Sequence, residues 1–89
     1  MTPQIILHIL KKNDALALDV IRRQAASNAV TILLIQEAAD LSAADLRISN
    51  PGVAVFALKD DAKTDIHYPH IGYDEMLDHI LAADRIVTW

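Results

Sequence analysis

Apolar residues fall along this chain in two rhythms: short runs that are nearly continuous, and longer stretches with a helical period. Gln4 to Leu10 is of the first kind, with Ile5, Ile6, Leu7, Ile9 and Leu10 interrupted only by His8. Its length and β-branched content predict a buried strand. Lys11-Lys12-Asn13 breaks the run. Asn13 or Asp14 can then cap a helix, because a side-chain oxygen there accepts from unpaired N–H groups of the first turn. From Ala15 to about Ser27 the spacing turns helical, with Leu18, Ile21 and Ala25 at i, i+3 and i+7. Ala17, Leu16 and Val20 widen that face, while Arg22, Arg23 and Gln24 fall elsewhere.

Ala29 to Ile35 is the plainest strand, continuous enough in apolar residues for a parallel strand covered on both faces. Gln36-Glu37 ends it. Ala38 to Leu46 is rich in alanine and reads as a short helix or helical turn, with Ser42 and Asp45 in the arrangement of a capping box. Ser49-Asn50-Pro51-Gly52 is a turn signal. Val53 to Leu58 is a third strand, ended by Lys59-Asp60-Asp61, and Asp60 to His67 is polar and irregular. Pro69 restricts pairing near His67 to Tyr73, which leaves room for a brief edge strand at His70-Ile71-Gly72. Asp74 precedes a helix to about Ala83, with Met76, Leu77, Ile80 and Leu81 on one stripe. Arg85 to Trp89 closes the chain as a final strand.

The order β-α-β-α-β-(β)-α-β predicts an α/β fold with right-handed crossovers. The expected architecture is a three-layer sandwich with a mostly parallel, flavodoxin-like sheet of four to five strands. One domain spans residues 1–89, since the chain holds one core and no internal repeat. Hydrophobic residues make up 53% of so small a chain, so burial completed against another subunit is expected.

The formal charge of -4 argues against a general nucleic-acid or anionic-membrane surface. Lys11-Lys12 and Arg22-Arg23 read as solvated positions around the first helix. No stretch approaches the about 20 apolar residues of a membrane span. The N-terminal segment also lacks the basic, apolar and small-residue series of a secretory leader. A cytoplasmic protein is expected.

Ligands of open α/β sheets bind beyond the carboxyl ends of the strands. Here those ends place Asn13, Gln36, Lys59 and Asp60 as a candidate ligand-binding cluster, although polar residues gather at strand ends in any such fold. Lys11 to Leu16 contains no glycine, which removes the dinucleotide fingerprint and the Walker loop, so no nucleotide cofactor is expected. His67, His70 and His79, with Asp74 and Asp78 nearby, have the side chains of a zinc site. Pro69 and the separate helix favour surface histidines without a common site. His8, inside a strand, reads as a hydrogen-bonded core or interface residue. Ser42 or Ser49 lacks the nucleophile elbow a catalytic serine needs, and the adjacent Asp60 and Asp61 diverge rather than share a proton. No catalytic residue and no metal site emerges.

Three segments in order resemble a known family. Ile32-Leu33-Leu34-Ile35-Gln36-Glu37-Ala38 is similar to the strand and turn of the DsrE/DsrF/DsrH superfamily. Val55-Phe56-Ala57-Leu58-Lys59-Asp60-Asp61 resembles its third strand. Ile71-Gly72-Tyr73-Asp74-Glu75-Met76-Leu77, with the closing Val87-Thr88-Trp89, resembles the DsrH/TusB branch. The resemblance covers nearly the whole chain and implies a subunit of a sulfur relay. Such relays are heterotrimers of related chains, commonly paired into hexamers, that pass persulfide sulfur between cysteines for tRNA thiolation or sulfur oxidation.

The chain departs from thiol-bearing members in having no cysteine, and from the common turn in having Ala38 where glycine is frequent. The expectation is therefore a non-catalytic subunit that supports assembly with DsrE/DsrF-like (TusD/TusC-like) partners. The competing readings are a homo-oligomeric protein of the same fold binding a small ligand at the strand ends, and a hydrolase or metal-dependent enzyme that uses the histidines.

Overall fold

In the computed structural model, residues 4–48, 52–63 and 68–89 are described. The turn expected at Ser49-Asn50-Pro51 and the candidate ligand His67 lie outside them. Five strands form one parallel sheet: β1 (Ile5–Leu10), β2 (Ala29–Leu34), β3 (Val53–Leu58), β4 (His70–Ile71) and β5 (Arg85–Thr88). Their order across the sheet is β4-β3-β2-β1-β5. The helices are α1 (Ala15–Ala25), α2 (Ala43–Leu46) and α3 (Tyr73–Ala82), with a 3-10 turn at Gln36–Asp40.

Local chemistry sets the element ends. Asp14 is the N-cap of α1, its side chain accepting from the N–H groups of Leu16 and Ala17 at 3.0 and 3.1 Å. Ser42 and Asp45 form the reciprocal capping box of α2. Arg47 ends α2 in the left-handed region (φ 53°), and the Arg22 guanidinium donates to the carbonyls of Leu46 and Arg47. Arg22 thus stays exposed but closes the end of a helix, a role that spacing alone did not suggest. Arg23 pairs with Asp19 one turn earlier at 2.8 Å, in the open. At the far edge, Pro69 has no N–H to give. Its carbonyl instead accepts from Ala57, and the Ile71 carbonyl accepts from Lys59, so the two-residue strand β4 still pairs.

The crossovers divide the molecule into two layers around the sheet. α1, the 3-10 turn and α2 carry the chain from β1 through β2 to β3 across one face. There Leu10, Leu18, Ile21, Ile32, Leu34 and Leu46 are almost wholly buried. α3 returns the chain past the whole sheet on the other face, over Leu7, Ile9, Leu33, Phe56 and Ile71. The expected stripe of α3 is split: Met76 and Ile80 pack on the sheet, whereas Leu77 and Leu81 are 53% and 76% exposed. No residue of α3 is fully buried. Among the described residues no helix is long and apolar enough to cross a membrane.

Candidate functional site

The direction in which the chain spreads across the sheet reverses at β1. β2, β3 and β4 follow on one side, and β5 is added on the other. At such a switch point the connections leave to opposite faces and open a crevice at the carboxyl ends of the two strands. Here those ends bring Lys11 and Lys12, from the exit of β1, beside Trp89 at the exit of β5. Gln36 and Glu37, from the exit of β2, complete a cleft of about 350 Å³.

Three features hold this cleft in shape. The Ala38 N–H donates to the Lys11 carbonyl, and the Ile35 N–H to the Leu10 carbonyl, so the exits of β1 and β2 are tied together. Gln36 takes a left-handed conformation (φ 52°), which costs a residue with a Cβ about 1–2 kcal/mol. Its N–H donates to Asp61 Oδ2 at 2.8 Å, an anchor that helps hold the turn. The left-handed position of this turn is Gln36 and not Ala38.

The third feature is a buried polar chain. Trp89 Nε1–H donates to His8 Nδ1 at 3.0 Å, and His8 Nε2 meets Gln24 Oε1 of α1 at 2.5 Å. An indole can only donate, so Nδ1 must be the acceptor and the proton must sit on Nε2, facing the Gln24 carbonyl oxygen. His8 has no exposed surface and is a neutral, fully bonded core residue. Burial holds its pKa below the usual histidine value, and the Gln24 bond offsets only part of that. Its ring also lies nearly parallel to the indole, with centroids 6.1 Å apart.

The four residues expected to share a site are divided. Gln36 and Asp60 line one acidic cleft with Glu37, Asp40, Asp61 and Lys63. Asn13 lies in a separate cleft between α1 and α2, with Arg22, Asp45 and Arg47. Lys59 is exposed at the end of β3 and lines none of these three clefts. Gln36 and Glu37 form the ridge between the acidic cleft and the one at the switch point.

The other candidates have structural surroundings of their own. His79 of α3 packs against the Phe56 ring at 4.8 Å, and His70 lies in β4. Among the described residues no three His, Asp or Glu side chains converge on a common point. Ser42 is engaged in its capping box. The Tyr68 phenol is pushed up in pKa, first by burial and then by the Asp45 carboxylate. Reasoning from sequence missed the grouping of Lys11, Lys12, Glu37 and Trp89. Each was visible as a strand end, but only the placement of β5 beside β1 unites them. No family model matches this chain, and no curated protein matches it either.

Proposed function

We propose that this chain is a non-catalytic, cysteine-free subunit of the DsrH/TusB kind. In this reading it acts in the cytoplasm to support assembly of a persulfide-transfer complex with DsrE/DsrF-like partners, serving tRNA thiolation or sulfur oxidation. The observation that carries the reading is the unfinished face of the sheet. Tyr73, Leu77 and Leu81 recur every four residues along α3, and all are more than half exposed. His79, on the other flank of α3, packs on Phe56 of β3. The exposed stripe therefore turns away from β3, toward β1 and β5. There Ile5 and Ile86 are also open, and Ile86 is in register with Leu7, so it shares the α3 face.

Five apolar side chains on one side of so small a domain form the kind of patch that a partner covers. The chain has no thiol, so any persulfide would be carried by the partner. The test is co-expression with DsrE- and DsrF-like subunits followed by size-exclusion chromatography. A stoichiometric complex, lost in the double variant Leu77→Asp/Leu81→Asp while the variant stays folded, is expected. A stable monomer that ignores those subunits contradicts the reading, and a homo-oligomer on the same face replaces it with self-assembly.

A further inference from the structure

We propose that the cleft at the β1/β5 switch point is a binding site for a small organic anion with a flat, aromatic body. This goes beyond the assembly role and uses a different part of the molecule. The charge argument comes first. The chain as a whole is at -4, yet this cleft sets the ammonium side chains of Lys11 and Lys12 against one side-chain carboxylate, Glu37, and the main-chain carboxyl end of Trp89. Across the Gln36-Glu37 ridge the neighbouring cleft sets Lys63 against Glu37, Asp40, Asp60 and Asp61, and so repels anions. Among the described residues no carboxylate lies within ion-pair distance of Lys11 or Lys12, so both charges are available to a ligand.

The aromatic wall is the second argument. Trp89 stays partly exposed while its one donor is committed to His8, and His8 is held by Gln24. A buried polar chain of this kind is costly unless every group is satisfied, and here each is. Its effect is to hold the indole at the mouth of the cleft with its hydrogen bond already made. What remains for a ligand is apolar ring surface, which suits stacking rather than hydrogen bonding. Two lysines, a fixed indole and the Gln36 turn around one cleft match a carboxylate or phosphate joined to an aromatic ring. The volume, about 350 Å³, is at the small end of ligand sites and fits one ring with its anionic group.

Trp89 is the sole tryptophan, so its single indole N–H resonance reports on this cleft alone. The experiment is a heteronuclear NMR titration of nitrogen-labelled protein with phenyl phosphate and with benzoate, using inorganic phosphate and benzyl alcohol as controls. Saturable shifts of the Trp89 indole and of the Lys11, Lys12, Gln36 and Glu37 amides are expected with both aromatic anions. Each control, lacking half of the recognition, should bind about tenfold more weakly or worse. Lys11→Gln/Lys12→Gln should weaken phenyl phosphate by about tenfold or more, and Glu37→Gln should tighten it. These side chains are exposed, so the variants should keep the parent spectrum elsewhere. The proposal is overturned by the absence of saturable shifts up to about 10 mM. Shifts centred on α3, or binding unchanged by the lysine substitutions, would overturn it equally.

Discussion

The two faces of the sheet are built from similar residues and finished differently. On the α1 side, Leu10, Ile21, Ile32, Leu34 and Leu46 have no exposed surface, and even the polar His8 is enclosed with all its bonds made. On the α3 side, one short helix covers the middle of the sheet and leaves Ile5, Tyr73, Leu77, Leu81 and Ile86 open. Each fully buried aliphatic side chain stabilises a fold by about 1.5–3 kcal/mol relative to exposure. The closed face therefore carries most of the folding energy of the isolated chain, and the open face leaves apolar area uncovered. Hydrophobicity alone does not separate the two roles; completeness of cover does.

That contrast can be broken by substitution. Ile21→Ala should cost about 2–5 kcal/mol in denaturant unfolding, the range for a large aliphatic residue lost from a packed core. Leu81→Ala should fall within about 0.5 kcal/mol of the parent chain, as exposed sites do. Equal costs at both positions would erase the distinction between the faces.

His8→Ala comes next, because it orphans the Trp89 indole N–H. A loss of about 1–3 kcal/mol is expected, with a shift of the Trp89 fluorescence as the ring is released. The same residue gives a pH signature. Its folded pKa lies below the unfolded value of 6.5, so the folded chain resists protonation where the unfolded chain accepts it. Its contribution is fully present above about pH 6.5 and is lost as pH falls from there toward the lower folded value. In His8→Phe that part of the pH dependence should disappear from unfolding curves recorded across this window.

Asp14→Ala removes the cap of α1 and should cost about 1 kcal/mol by the same measurement. Smallest is the exposed Arg23–Asp19 pair, where Arg23→Ala should change stability by about 0.3–0.5 kcal/mol and less at high salt.

Much of this fold was legible in local pattern. The continuous runs at β1, β2 and β3, the Asp14 cap and the Ser42/Asp45 box depend on near neighbours, and each lies where the pattern placed it to within a residue or two. The division of the α3 stripe was not legible, because Met76 and Leu77 are both apolar and only the way the helix sits on the sheet decides which is covered. The grouping of the candidate residues was not legible for a related reason. Strand ends can be read from sequence, but their neighbours depend on strand order. Gln36 and Asp60 share a cleft because β2 and β3 are adjacent, while Asn13 is carried away by the start of α1. Lys11, Lys12 and Trp89 meet across most of the chain length because β5 crosses to the free side of β1.

The most direct test of the central claim, that one face folds the chain and the other assembles it, is amide hydrogen exchange. It should be measured on the isolated protein and again with the DsrE/DsrF-like subunits. In the isolated chain α1 should exchange slowly and α3 faster. On assembly α3 and β5 should slow sharply, while α1 hardly changes. Protection of α3 equal to that of α1 in the isolated chain, or no change in α3 when the partners are added, would contradict it.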